Sequence, residues 1–169
     1  MDHDDDNDDH NERPSDLPRE LRDLWDHSVR GFTLGAHSLH GPRHWRSVYF
    51  NAMELTAATD GADVQVVRLF AILHDARRWN EGSDPDHGQR AADLAADLCG
   101  TMFHLDDARL TVLREACILH DRGKVSADAT TGVCWDADRL DLPRVGIAPA
   151  PRLMSTAEGK RRAGNRWYP

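Results

Sequence analysis

Apolar residues recur at helical spacing through most of the chain, and strand patterns are nearly absent. Spacings of three, four and seven residues are typical of helices that bury one face. The helices predicted in this way run from Ser15 or Asp16 to Gly31, over about 44–60, from Asp63 to about 78, over about 87–99, and from Asp106 or Asp107 to about 121. A loop over roughly 122–135 and a short helix from near 136 to before Pro143 follow. The pattern predicts an all-α domain of five or six helices.

Charge divides the chain into three parts. Residues 1–12 carry seven acidic residues and no Lys or Arg, within a net charge of -8, so the rest of the chain is close to neutral. We expect residues 1–14 to be a disordered acidic head, residues 15–158 to be the helical domain, and residues 159–169 to be a short basic tail. A near-neutral body has no broad basic surface that could neutralise phosphates, so general nucleic-acid binding is not expected.

The remaining composition favours a cytoplasmic protein. The first residues lack the basic and apolar parts of a secretory signal, and no apolar run approaches the ~20 residues of a membrane-spanning helix. The three cysteines contain no CxxC pair and are odd in number, which argues against a disulfide framework. We therefore expect a small-molecule ligand and no membrane. The oligomeric state stays open.

Ten histidines stand out, and four of them lie on the apolar stripes of different predicted helices: His44, His74, His87 and His120. One histidine on an apolar face is usually a core residue with an ordinary hydrogen bond. Four imidazoles in one core each need a partner, and a shared cation would satisfy all of them. Imidazole and carboxylate ligands suit Mn, Fe, Co, Ni or Zn better than Ca, and Mg is possible.

Carboxylates for such a site are available nearby. Asp75 follows His74 directly, and the segment 134–143 adds Asp136, Asp138 and Asp141. At ~100° per residue, Asp138 and Asp141 share one side of a helix, whereas Asp136 lies about 160° from Asp138. We expect one inward ligand and two capping or surface carboxylates.

The order His44, His74-Asp75, Asp138 resembles the H…HD…D pattern of the HD superfamily of metal-dependent phosphohydrolases. The local sequences ILHD at 72–75 and DADRLD at 136–141 resemble the family's motifs, over about residues 37–147. The resemblance implies a helical bundle with a metal site in its core, where these four residues bind one ion. The pair His120-Asp121 is a second HD dipeptide, but only His74-Asp75 leaves room for ligands both upstream and downstream.

Some HD proteins hold two metal ions, and His87 and His120 occupy the order of the additional ligands. The alternatives are that His87 caps its own helix and that His120 orients another ligand. The sequence leaves one ion and two ions equally open.

The resemblance implies hydrolysis of a small phosphate ester or anhydride, a nucleotide being the favoured substrate, by metal-activated water. Asp75 would belong to the catalytic set, and Arg139, helped by Arg78, would hold the phosphate. His40 and Lys124 are further candidates for substrate contacts, and His40 could also carry a proton. The ordinary alternatives are a loop histidine for His40 and a helix-dipole interaction for Arg78. A di-iron oxygenase and a non-catalytic metal- or nucleotide-binding module are the other functional hypotheses.

Overall fold

The computed structural model describes residues 12–165, which form seven α-helices and no strand. The helices are α1 (Arg22–Gly31), α2 (Pro42–Ala57), α3 (Val64–Leu73), α4 (His87–Leu98), α5 (Asp107–Leu119), α6 (Ala129–Arg139) and α7 (Ala157–Asn165). Single 3-10 turns lie before α1 (Arg19–Leu21) and between α6 and α7 (Leu142–Val145 and Pro151–Leu153). The all-α prediction is confirmed, with seven helices in the described part of the chain instead of five or six.

Two of the helix starts follow the expected capping chemistry. The Asp63 carboxylate accepts the backbone N–H groups of Gln65 and Val66, and the Asp106 carboxylate accepts that of Arg109. These bonds satisfy N–H groups that have no partner inside the helix. The first helix begins later than predicted, at Arg22, because the segment after Pro18 forms a 3-10 turn.

The loop predicted over 122–135 is wrong, because α6 begins at Ala129. Thr130, Thr131 and Gly132 are poor helix formers, so helix propensity alone does not predict a helix at these positions. The Asp128 carboxylate nevertheless caps the helix by accepting the Thr131 N–H, and the following residues Val133, Cys134 and Trp135 are buried in the core. Burial therefore outweighs local propensity here.

Asp136 is neither a surface residue nor the cap of its own helix, in contrast to the prediction. It is buried in α6 and accepts the N–H groups of Ser155 and Thr156 at 2.7 Å, together with the Thr156 hydroxyl. Burial raises the pKa of Asp136, although these hydrogen bonds oppose the shift. A Cβ atom on Gly159 would clash with this carboxylate, so the position requires glycine. Asp136 thus fixes the segment that leads into α7.

The packed structure extends beyond both boundaries predicted for the domain. The boundary between 158 and 159 falls inside α7, where Arg162 binds Glu158 and Glu54. At the other end, Glu12 forms ion pairs with side chains of α2, and Pro14 is buried. Residues 1–11 of the acidic head and 166–169 of the basic tail lie outside the described residues.

Helix α3 occupies the centre of the bundle. Seven of its ten residues are buried, and α1, α2, α4, α5 and α6 all pack against it. Trp25 of α1 and Trp45 and Tyr49 of α2 are among the largest fully buried side chains of the bundle. The carboxyl end of this central helix carries the His74-Asp75 pair into the core. Across residues 12–165, no helix combines the length and apolar character that crossing a membrane requires.

Candidate metal centre

Four imidazoles meet in the core, as the helical spacing predicted. His44 lies in the first turn of α2, His74 follows α3, His87 begins α4 and His120 follows α5, and all four are buried. They form two pairs whose Nε2 atoms face each other. The distance is 3.1 Å between His44 and His74 and 3.0 Å between His87 and His120.

Asp75 lies between the two pairs and turns one carboxylate oxygen to each. Its Oδ2 lies 3.7 Å from His44 Nε2 and 3.8 Å from His74 Nε2. Its Oδ1 lies 3.3 Å from His87 Nε2 and 3.6 Å from His120 Nε2. The adjacent residues His74 and Asp75 can both face the cluster because α3 ends at Leu73, five residues earlier than the sequence predicted. Asp75 is therefore positioned to serve both pairs.

Asp138 and Asp141 contact opposite nitrogens of His44. Asp138 Oδ1 lies 3.2 Å from His44 Nε2 and 3.9 Å from His74 Nε2, so it joins the first pair. Asp141 Oδ2 lies 2.7 Å from His44 Nδ1. The sequence predicted correctly that these two carboxylates share a side. Asp141 was expected to cap a helix or lie on the surface, whereas it contacts a histidine of the cluster.

The hydrogen bonds of the imidazoles show why a cation fits between them. The Nδ1 atoms of His74, His87 and His120 lie against the backbone carbonyls of Phe70, Asp84 and Cys117, respectively. A carbonyl only accepts hydrogen bonds, so these Nδ1 atoms donate, and in a neutral ring Nε2 then carries a lone pair.

The His44 Nδ1 atom lies against the Asp141 carboxylate, which also only accepts. When the rings are neutral, each Nε2 pair therefore brings lone pairs together beside a carboxylate. Asp75 Oδ1 is buried and has no hydrogen-bond partner in the described part of the chain. The ligand atoms of His44, His74 and Asp75 lie within 4.8 Å of one another, and those of Asp75, His87 and His120 do as well. The donor set fits one or two divalent transition metals. Both groups could hold an ion, and the geometry does not select which metal.

Burial and neighbouring charges set the pKa values of this cluster in opposite directions. Burial lowers the pKa of His74 to about 3, against the charges of Asp75 and Asp138. Burial also acts to lower the pKa of His120, but the nearby carboxylates of Asp75 and Asp138 and the Cys117 carbonyl together outweigh it and raise that pKa to about 9. Burial acts to raise the pKa of Asp75, yet the neighbouring imidazoles hold it well below its usual range. Asp75 is thus ionised at neutral pH, as a metal ligand must be.

A cavity of about 330 Å³ opens beside Asp75 and Asp138. Three arginines line it, and backbone carbonyls hold all three. Arg78 donates to the carbonyls of Asn80 at 3.1 Å and Gly82 at 2.7 Å. Arg139 donates to the carbonyls of Leu153 at 2.7 Å and His120 at 3.4 Å. Arg144 donates to the carbonyls of Leu39 at 2.8 Å and Asp141 at 3.2 Å. Carbonyls fix the orientation of a guanidinium group without neutralising its charge.

The other two predicted substrate contacts differ in position. His40 lines the cavity, and its Nδ1 lies 3.1 Å from Asp75 Oδ2, while its carbonyl accepts the indole N–H of Trp45 at 2.7 Å. Lys124 is exposed in the loop before α6 and does not line the cavity, although Gly123 does.

Sequence reasoning missed Arg144. Its Nη2 lies 3.4 Å from His40 Nδ1, and its Nη1 lies 3.7 Å from Asp141 Oδ2. Arg144 lies beyond Pro143, before which the predicted helix ends. The spacing of Asp141 and Arg144 was the available signal, because residues three apart lie on one side of a helical turn.

No protein-family model and no curated protein matches the sequence. A comparison with solved structures finds a predicted HD superfamily hydrolase from an uncultured Thermotogales bacterium. It superimposes with a TM-score of 0.70 at 27% sequence identity, over 87% of this chain and 84% of the other. The chain is an HD-domain protein. The HD-domain fold and the buried cluster of histidines and aspartates together fit a metal-dependent hydrolase.

Proposed function

We propose that this HD-domain protein is a metal-dependent phosphohydrolase that acts on a small phosphate ester or anhydride, with nucleotides as the favoured class. The observation that carries the proposal is the set of three carbonyl-bound arginines beside the cluster. Arg78, Arg139 and Arg144 donate their shortest hydrogen bonds to neutral carbonyls, and the carboxylates paired with Arg78 and Arg144 lie farther away, at 3.8 Å and 3.7 Å. Guanidinium groups held in this way are suited to the oxygens of a phosphate.

The charge balance of the cavity supports an anionic substrate that binds after the metal. Three arginines and three aspartates, Asp75, Asp121 and Asp138, line it, so its formal charge is zero when the imidazoles are neutral. Each divalent cation would add two positive charges. The loaded cavity would then attract a phosphate.

The proposed ligands follow from the two groups of side chains. His44, His74, Asp75 and Asp138 would hold one ion, and Asp75, His87 and His120 would hold a second. When bound, such ions lower the pKa of a water, polarise a phosphoryl oxygen and stabilise the charge of an in-line transition state.

The remaining roles belong to side chains around the cavity. Arg78 and Arg139 would donate to the phosphate with the N–H groups that the carbonyls leave available. His40, whose Nδ1 lies against Asp75, would contact the substrate and could move a proton at Nε2. The cavity has no serine or cysteine among its described lining residues, which favours direct attack by water over a covalent intermediate. Contact with Lys124 stays a prediction from the sequence.

The test is a phosphate-release screen over nucleotides and simple phosphate esters, using the full-length protein with Mn, Fe, Co, Ni, Zn or Mg. We expect turnover with at least one metal and a loss on the order of 100-fold or more in Asp75→Asn. Asp121→Asn is the matched control, because Asp121 lines the same cavity but is exposed and outside both ligand groups.

Metal binding without any phosphate release would overturn the proposal. Oxygen consumption by an iron-loaded form would then select the di-iron oxygenase. Saturable nucleotide binding without product would select the non-catalytic module.

A further inference from the structure

A second cavity, of about 210 Å³, lies beside the His44–Asp141 pair. Its lining includes Arg43, Arg144, His37, Ser38 and Ser47. Arg144 is the one described residue that lines both this cavity and the larger one beside Asp75. We call the smaller space the side cavity and the larger one, beside Asp75, the catalytic cavity.

The polar groups of the side cavity are mainly hydrogen-bond donors. Two guanidinium groups and the imidazoles of His37 and His44 line it. The Ser38 hydroxyl, which accepts the His40 N–H at 3.0 Å, retains its own proton to donate. Asp141 is the carboxylate among its described lining residues. Its Oδ2 already contacts His44 Nδ1 at 2.7 Å and lies 3.7 Å from Arg144 Nη1. The lining residues carry two guanidinium groups and one carboxylate, although Glu12, from outside the lining, pairs with Arg43 at 3.3 Å. The excess of donors suits an anion.

We propose that the side cavity binds a second phosphate group. This inference deepens the proposed function, on which its link to the substrate rests. The group could be a non-reacting phosphate of the substrate or a separate small phosphorylated effector, and both present the same chemistry to Arg43 and Arg144. Because Arg144 also lines the catalytic cavity, a phosphate bound here would fix the guanidinium that faces the reacting group.

Inorganic phosphate tests the site directly. Isothermal titration of the full-length, metal-loaded protein should show two binding events, one in each cavity. Arg43→Ala should weaken one event about tenfold, the effect expected for loss of a charge-assisted hydrogen bond. Arg78→Ala, which changes only the catalytic cavity, should weaken the other.

Arg46→Ala is the matched control. Arg43 and Arg46 both lie on α2 and both pair with Glu12, at 3.3 Å and 3.5 Å, but only Arg43 lines the side cavity. Arg46→Ala should retain both binding events. A single event in the wild type, or equal losses in Arg43→Ala and Arg46→Ala, would overturn the inference.

Kinetics distinguish the two sources of the phosphate. If it belongs to the substrate, Arg43→Ala should raise KM about tenfold for compounds with two separated phosphates and leave monophosphates unchanged. If it belongs to an effector, added phosphate should change kcat on a monophosphate in the wild type but not in Arg43→Ala.

Arg43-dependent phosphate binding without any hydrolysis would retain the side-cavity site and reject the phosphohydrolase. Hydrolysis without Arg43-dependent phosphate binding would retain the phosphohydrolase and reject the side-cavity site.

Discussion

The Nε2 atoms of His87 and His120 lie 3.0 Å apart, although the Nδ1 atom of each ring already lies against a backbone carbonyl. Two neutral imidazoles oriented in this way present lone pairs to each other, which is unfavourable in a buried site unless a cation or a proton lies between them. The Nε2 atoms of His44 and His74 face each other in the same way at 3.1 Å, with His44 Nδ1 against the Asp141 carboxylate instead of a carbonyl. Asp75 lies beside both pairs, and this shared carboxylate is the basis of the predictions on metal binding.

Metal removal should destabilise the wild-type protein. An ion that binds only the folded chain contributes about 2.7 kcal/mol when its concentration is 100 times Kd, which corresponds to a fall in Tm of roughly 5–10 °C on chelation. Asp75→Asn should lose most of this difference, whereas Asp121→Asn should retain it. Calorimetry of each protein with and without chelator measures this change in Tm. An equal effect of chelator on wild type and Asp75→Asn would reject Asp75 as a ligand.

Metal stoichiometry should depend on the second histidine pair. We expect two ions per chain in the wild type and one in either His87→Ala or His120→Ala, because each substitution removes a ligand from the group that includes Asp75 Oδ1. Elemental analysis of protein loaded at the same free metal concentration provides the count. One ion per chain in the wild type and in both variants would establish a one-metal site.

Arg139 should contribute to both stability and turnover. Its bonds to the Leu153 and His120 carbonyls connect α6 to two other segments, so Arg139→Ala should lower the free energy of unfolding by about 1–3 kcal/mol. It should also reduce kcat while the bound metal remains. Unfolding, metal content and activity per folded molecule are compared in one preparation. A loss of stability with unaltered activity would leave Arg139 a purely structural role.

The pair Asp63–Arg109 should stabilise the fold in a pH-dependent way. Arg109 donates to both carboxylate oxygens of Asp63, at 2.6 Å and 2.8 Å, and this contact holds the pKa of Asp63 below its usual 3.8. The stabilisation is therefore complete above about pH 4 and is lost as the pH falls through the lowered pKa. Asp63→Asn keeps an oxygen for the helix cap but removes the charge and the second oxygen, which accepts the Arg109 Nε–H.

Urea unfolding should consequently show a difference of about 0.5–1 kcal/mol between wild type and Asp63→Asn at pH 7. The difference should shrink toward pH 3. A constant difference over this range would mean that the ion pair does not contribute.

The sequence predicted the inward histidines because helical spacing alone determines which face of a helix meets the core. Helix geometry left open which of Asp136, Asp138 and Asp141 faces inward, and the resemblance to the H…HD…D pattern selected Asp138. The start of α6 was missed, since a capped and buried segment can be helical in spite of Thr and Gly. Arg144 was missed for a different reason. The spacing from Asp141 places it on the same side of a turn, but its contact with Leu39 spans 105 residues, which local spacing does not indicate.

Anomalous diffraction from crystals of the manganese-loaded protein tests the central claim most directly. Our account predicts one peak among His44, His74, Asp75 and Asp138 and a second among Asp75, His87 and His120. A protein that binds manganese elsewhere, with no peak among the first four residues at saturating metal, would contradict it.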